Sequence, residues 1–255
     1  MSKTLTIALN TFKEAIRDKT IISIGVVGFL LLAFSKIFIP ISVGEGAKVI
    51  KDFGISIIEI FGVLVVILIG TRILYDEVER KTIYSIMSKP VESLEFVGGK
   101  FLGLYYLTIV VQVLLFFIFS LFYKLYLGVF EIHLLKILYF FLFEFFLLDA
   151  LAIFLSAFTS PLTSGILTLV LFFIAHLSYY LITFPYVINA PELSWFFKFL
   201  FYILPNFSPF NIKATVVYHL PLPLGAYILA FSYSLLYSII LIILSSFLYY
   251  KKEFL

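Results

Sequence analysis

Four ionisable residues lie inside long apolar runs: Glu59, Glu144, Asp149 and His176. A charge in hydrocarbon is expensive, so such residues are functional candidates by default. Their chemistry is that of a proton relay or of the polar lining of a transport path. The plainer alternative is an interhelical hydrogen bond that fixes packing, with the carboxyls protonated. Glu144 and Asp149 are five residues apart, about 140° around a helix of 3.6 residues per turn. They therefore do not make a paired-carboxylate site on one face. Asp149 shares a face with Ser156, seven residues on. His176 falls at a depth near Glu144 if their two helices are neighbours, and Glu59 falls near the outer third of its own.

Other chemistry is excluded more firmly. With no cysteine, there is no disulfide, thiolate nucleophile or Cys-ligated metal. The three histidines, His133, His176 and His219, show no HxxxH or HExxH spacing, so no metal site is expected. Gly98-Gly99-Lys100 is followed by Phe101 and has no Gly five positions before Gly99, so it is not a phosphate-binding loop. No nucleophile with a base and no clustered carboxylates indicate an enzyme. A net charge of +3 without a basic stripe does not indicate nucleic acid.

The elements that position these residues are set by composition. The 255 residues are 63% hydrophobic and only 13% charged, where a soluble domain carries about 25%. Six stretches reach the roughly 20 helical residues that cross the bilayer core: 20–39, 53–75, 96–123, 133–158, 164–184 and 225–250. Helices are required, because lipid satisfies no open backbone. The expectation is an all-α integral membrane protein, one transmembrane domain over 1–255. Residues 4–19 form an amphipathic helix before the first span, with Leu5, Leu9, Phe12 and Ile16 on one side and Lys13, Glu14, Arg17 and Asp18 on the other. Such a helix lies flat in the membrane interface. The first apolar run is long enough to span and has no small-x-small site after it, so it is not read as a cleavable signal.

Lys and Arg set the orientation. With the N-terminus inside, eleven basic residues lie inside and seven outside, and every Arg is inside. Both termini are then cytoplasmic, in the inner (plasma) membrane. The long outer segment 185–224 holds six of the nine prolines. Within it Leu193 to Leu204 is apolar but about half the length needed to span, which predicts a re-entrant or interfacial helix. Asn206 to Tyr218 can form a second short helix. Gly99-x-x-x-Gly103 is a close-packing signal at the start of the third span.

One densely charged run, Arg72 to Lys100, separates the second and third spans. It holds five carboxylates and five basic residues, more than a plain connector needs, so it is read as a docking site. At its centre Ile83, Ile86 and Met87 fall at i, i+3 and i+4, one apolar face of a short helix. Lys89 precedes Pro90, which ends that helix.

These patterns resemble the membrane subunit of a type-2 ABC exporter. The likeness is carried by Ala8 to Lys19, which is similar to that family's elbow helix. It is carried also by the connector with Thr82-Ile83-Tyr84 and Ser88-Lys89-Pro90-Val91, and by Glu95-Phe96 with Gly99-Lys100-Phe101-Leu102-Gly103. Tyr202-Ile203-Leu204-Pro205-Asn206 with Phe210-Asn211 resembles the segment before the last span. The resemblance implies two permease copies, identical or related, above two ATPase subunits. The chain itself would hold no cofactor, with ATP and Mg bound by the partner ATPase. Thr82, Ile83, Tyr84, Ile86 and Met87 would be the coupling helix in an ATPase cleft. Two alternatives remain at this point. One is an autonomous secondary transporter or channel using Glu144, Asp149 and His176, although no internal repeat or paired broken helices are evident. The other is a membrane enzyme or assembly anchor.

Overall fold

Apolar runs free of internal proline and glycine clusters fold here as helices, and the caps fall where the sequence supplies them. The computed structural model describes residues 2–38, 45–75, 92–187 and 191–253. The expected coupling helix, Thr82 to Met87, lies outside the described residues.

Helix α1 (Lys3–Ile16) is capped by Ser2, whose hydroxyl accepts from the Leu5 N–H. Asp18 caps α2 (Lys19–Phe34) through the Thr20 N–H at 2.8 Å. Thr20, and more weakly Arg72, hold the Asp18 carboxyl below its usual range. Helix α3 (Gly46–Val65) runs on into one π-helical turn, Val66–Gly70. Helix α4 (Ser93–Leu127) opens with a capping box of Glu92 and Glu95, and ends at Gly128 in the left-handed conformation at φ 75°. Helix α5 is Leu134–Ser156. Helix α6 (Pro161–His176) has Ser160 as its cap and Pro161 in its first turn, the favoured arrangement. Then come α7 (Ser178–Val187), α8 (Ser194–Ile203), the short α9 (Lys213–Val217) and α10 (Leu224–Glu253).

Among the described residues, five helices are long and apolar enough to cross a membrane, or six if the bent pair α6 and α7 is one span. The protein is an all-α membrane protein. Helix α4, at 35 residues, is about 52 Å long at 1.5 Å per residue and forms the axis of the bundle. Along it α3 runs antiparallel: Gly54 faces Phe119, Gly62 faces Gln112, and Gly70 faces Leu104. The Gln112 side-chain amide donates to the Ile58 carbonyl at 3.3 Å. Helix α2 runs parallel to α4, with the Tyr126 hydroxyl donating to the Ala33 carbonyl at 2.8 Å. Helices α5 and α10 lie side by side. Tyr139 meets Tyr227 near their starts, and Ser245 reaches the Ile153 carbonyl near their ends.

The first helix packs chiefly through its small residues and not through the stripe of large ones. Ala8, Thr11 and Ala15 are its buried residues, and they lie against the start of α4. A Cβ on Gly99 would sit 2.7 Å from the Ile7 Cβ and 2.9 Å from the Thr4 carbonyl oxygen. One on Gly103 would sit 2.6 Å from the Thr11 Cβ and 2.7 Å from the Ala8 carbonyl oxygen. The Gly99-x-x-x-Gly103 pair is thus the seat of α1. Phe12 is half-buried against the core, Leu5 and Leu9 stay half-buried, and Ile16 is exposed.

The largest departure from the sequence reading is the expected span 164–184. It is two helices, bent by 66° at Leu177. No proline stands at the bend; Pro185 is inside α7. The cause is tertiary. The Ala175 carbonyl accepts from the Phe207 N–H at 3.0 Å, and the Ser178 hydroxyl donates to Asn206 Oδ1 at 2.6 Å. The segment after α8 thus folds back on the break and takes over its polar groups. Helix α3 also starts earlier than expected, at Gly46 rather than Phe53, because Lys48 and Lys51 find Glu45 and Glu131 as partners.

Gly99→Ala should cost on the order of 1–3 kcal/mol by overpacking against backbone. Gly98→Ala, whose nearest neighbour is 3.9 Å away, should be neutral or slightly stabilising. Thermal unfolding of the two variants in the same detergent checks the difference.

Candidate functional site

Three of the four intramembrane candidates come together, and a fourth residue joins them. Glu59 points from the middle of α3, Glu144 from the middle of α5, and His176 is the last residue of α6. Lys213 is the first residue of α9. His176 Nε2 lies 3.3 Å from Glu144 Oε1 and 3.5 Å from Glu59 Oε1. The Lys213 ammonium is paired with Glu59 Oε2. Glu144 has no exposed surface, and Glu59 is buried. Phe172 and Phe207 flank the imidazole, with centroids 4.5 and 5.5 Å from it.

The geometry restricts the protons. His176 Nδ1 is 3.1 Å from the Phe172 carbonyl oxygen, which only accepts, so Nδ1 carries a hydrogen. A further proton in the group has two places facing each other, Nε2 and the Glu144 carboxyl. If it is on Nε2, the imidazolium and the Lys213 ammonium balance two carboxylates. If it is on Glu144, a neutral acid donates to a neutral imidazole. The four residues are electrically neutral either way. Neither oxygen of Glu144 has a partner of full hydrogen-bond geometry among the described residues.

Asp149 stands apart. Its Oδ1 is 3.2 Å from the Thr108 hydroxyl, which also lies 3.1 Å from the Leu104 carbonyl. Asp149 Oδ2 has no partner among the described residues. This pair links α5 to α4, and not to the cluster. The different faces of Glu144 and Asp149 follow from their spacing. The coupling candidates Thr82, Ile83, Tyr84, Ile86 and Met87 lie outside the described residues.

Sequence reasoning missed Lys213, which it left in the outer loop. One signal was available. Lys213 stands alone in Phe210-Asn211-Ile212-Lys213-Ala214-Thr215-Val216-Val217, apolar surroundings that offer it no local counter-ion. Two carboxylates with one histidine also required a second cation. Its pairing depends on the return of 204–212 to the break, which no local pattern encodes.

A family model described as an ABC-2 family transporter protein matches residues 5–254 of the chain. No curated protein matches it.

Removing one partner of a buried ion pair costs about 3–5 kcal/mol, because it strands the other charge. Glu59→Gln and Lys213→Met should each lower the thermal midpoint strongly, and the double variant should lie above the sum of the two losses. A double-mutant cycle on thermal unfolding in one detergent gives the coupling.

Proposed function

The chain belongs to the ABC-2 transporter family, and from that premise we propose that it is the permease of an ATP-driven exporter. As a family member it is a membrane component of an ABC transporter. The finer reading is that a separate ATPase chain binds and hydrolyses the ATP, and that two permeases, identical or related, enclose the path. The match over residues 5–254 is the observation that carries this reading. It covers the first helix, the connector and the outer segment together.

In this reading α1 lies in the cytoplasmic interface, seated on Gly99 and Gly103. The connector carrying Thr82, Ile83, Tyr84, Ile86 and Met87 enters a cleft of the ATPase. The connector joins α3 to α4, so a displacement of it reaches Glu59 on α3 and the axis of the bundle. ATP can drive transport only by favouring one of two arrangements of these helices. In this reading the break at Leu177 and the ionic cluster beside it would be the element that ATP biases.

The broken helix beside buried charges also favours a second reading, an autonomous transporter, since discontinuous helices line the sites of many secondary transporters. The two readings differ in what drives them. Tagged chain drawn from its native membranes in mild detergent should bring down a protein with a GxxxxGK[ST] motif. Ile83→Asp or Met87→Asp should abolish that association while the chain still inserts. A chain that comes down alone, and moves cargo in vesicles without ATPase but not as Glu144→Gln, supports the second reading instead.

A further inference from the structure

Histidine is rare in this chain, three in 255 residues, and two of the three meet. His133 precedes α5 and His219 follows α9, 86 positions apart by number, yet their rings are 5.2 Å apart at 79°. Glu131 completes the group. One donor atom from each of Glu131, His133 and His219 lies within 4.8 Å of the others. The place is the end of the bundle away from α1, where the α4–α5 and α9–α10 connections face each other. His219 is held there at φ 53°, the positive-φ non-glycine among the described residues. That conformation is uncommon for a side-chain-bearing residue, and it sets the imidazole beside Glu131.

A cation is already used here. The Lys51 ammonium lies 2.8 Å from Glu131 Oε2 and 3.0 Å from His219 Nε2. Lys51 is nearly fully buried, and its charge also faces the Tyr123 ring at 5.9 Å. Burial works against the charge on Glu131, but Lys51, and then His219, hold its carboxyl below the usual range. The cradle is therefore the Glu131 carboxylate and the His219 imidazole around a positive charge, with His133 beside them. That donor set, two His and one Glu, is also a tetrahedral zinc set with a fourth position open.

We propose that Glu131, His133 and His219 form a site for a divalent transition metal of the zinc type, for which Lys51 is the built-in competitor. Zinc–nitrogen bonds of 2.0–2.1 Å set donors roughly 3.3 Å apart in a tetrahedron, so the group must tighten from its present spacing. The half-exposed side chain of His219 is free to make that movement. Lys51 must give up His219 Nε2 while it can keep Glu131 Oε2, since the carboxylate has a second oxygen for the metal. The bound ion would clamp the α4–α5 connection to the α9–α10 connection. The local spacing rules miss this set because its ligands come from two distant connections.

The test uses the full chain in lipid nanodiscs with an affinity tag that contains no histidine. Zn²⁺ is titrated by calorimetry and Co²⁺ by its visible absorption. The expected result is one ion per chain, a tetrahedral Co²⁺ band, and a thermal midpoint raised by Zn²⁺ but not by Mg²⁺. His133→Gln and His219→Gln should each weaken binding by on the order of tenfold or more, about 1.4 kcal/mol per decade. Lys51→Met should strengthen it, and if that variant does not fold alone, its recovery by Zn²⁺ gives the same answer. No binding by the parent chain overturns the proposal. So does binding that survives the double His133→Gln, His219→Gln change, which would mean an adventitious ion only.

Discussion

Two carboxylates in an apolar interior, Glu59 and Glu144, cannot be left unbalanced. Removing a charge from water costs several kcal/mol even after relaxation, and only close counter-charge offsets it. The balance comes from His176 and Lys213, which belong to α6 and α9. That requirement shapes the second half of the chain. His176 must reach the middle of α3 and α5, so α6 ends there. Lys213 must approach from the opposite end, so the chain after α8 folds inward. The 66° bend, the return of Phe207 to the Ala175 carbonyl and the short α9 are all parts of one solution.

The other half depends on space more than on charge. Gly54, Gly62, Gly99 and Gly103 let α1 and α3 approach the long α4 at distances a side chain would forbid. This is the usual logic of helix packing in lipid, where close contact and hydrogen bonds replace the hydrophobic drive. The Gln112 and Thr108 side chains, one turn apart on the same axis, add polar ties to α3 and to α5.

Much of this was legible in the sequence, and the reasons are particular. Span lengths follow from apolar run length. Gly99 and Gly103 signalled close packing at the start of α4, although not that α1 would be the partner. Glu59, Glu144 and His176 stood out by their cost. The break at Leu177 was hidden, because 164–184 is apolar enough to span and contains no proline, and the Ala175 carbonyl is claimed by a residue 32 positions away. Lys213 and the Glu131, His133 and His219 group were hidden for the same reason. Each depends on connections that local patterns do not encode.

The central claim is that the ionic cluster holds the returning segment against the break. Hydrogen exchange at the Phe207 amide reads this directly, because that N–H is bonded to the Ala175 carbonyl and exchanges only when the segment opens. In the parent chain exchange across 205–217 should be slow. In Lys213→Met it should be fast, while amides in the middle of α4 and α5 stay protected. Equal protection of 205–217 in both proteins, with both folded, would contradict the account and leave packing alone to hold the segment.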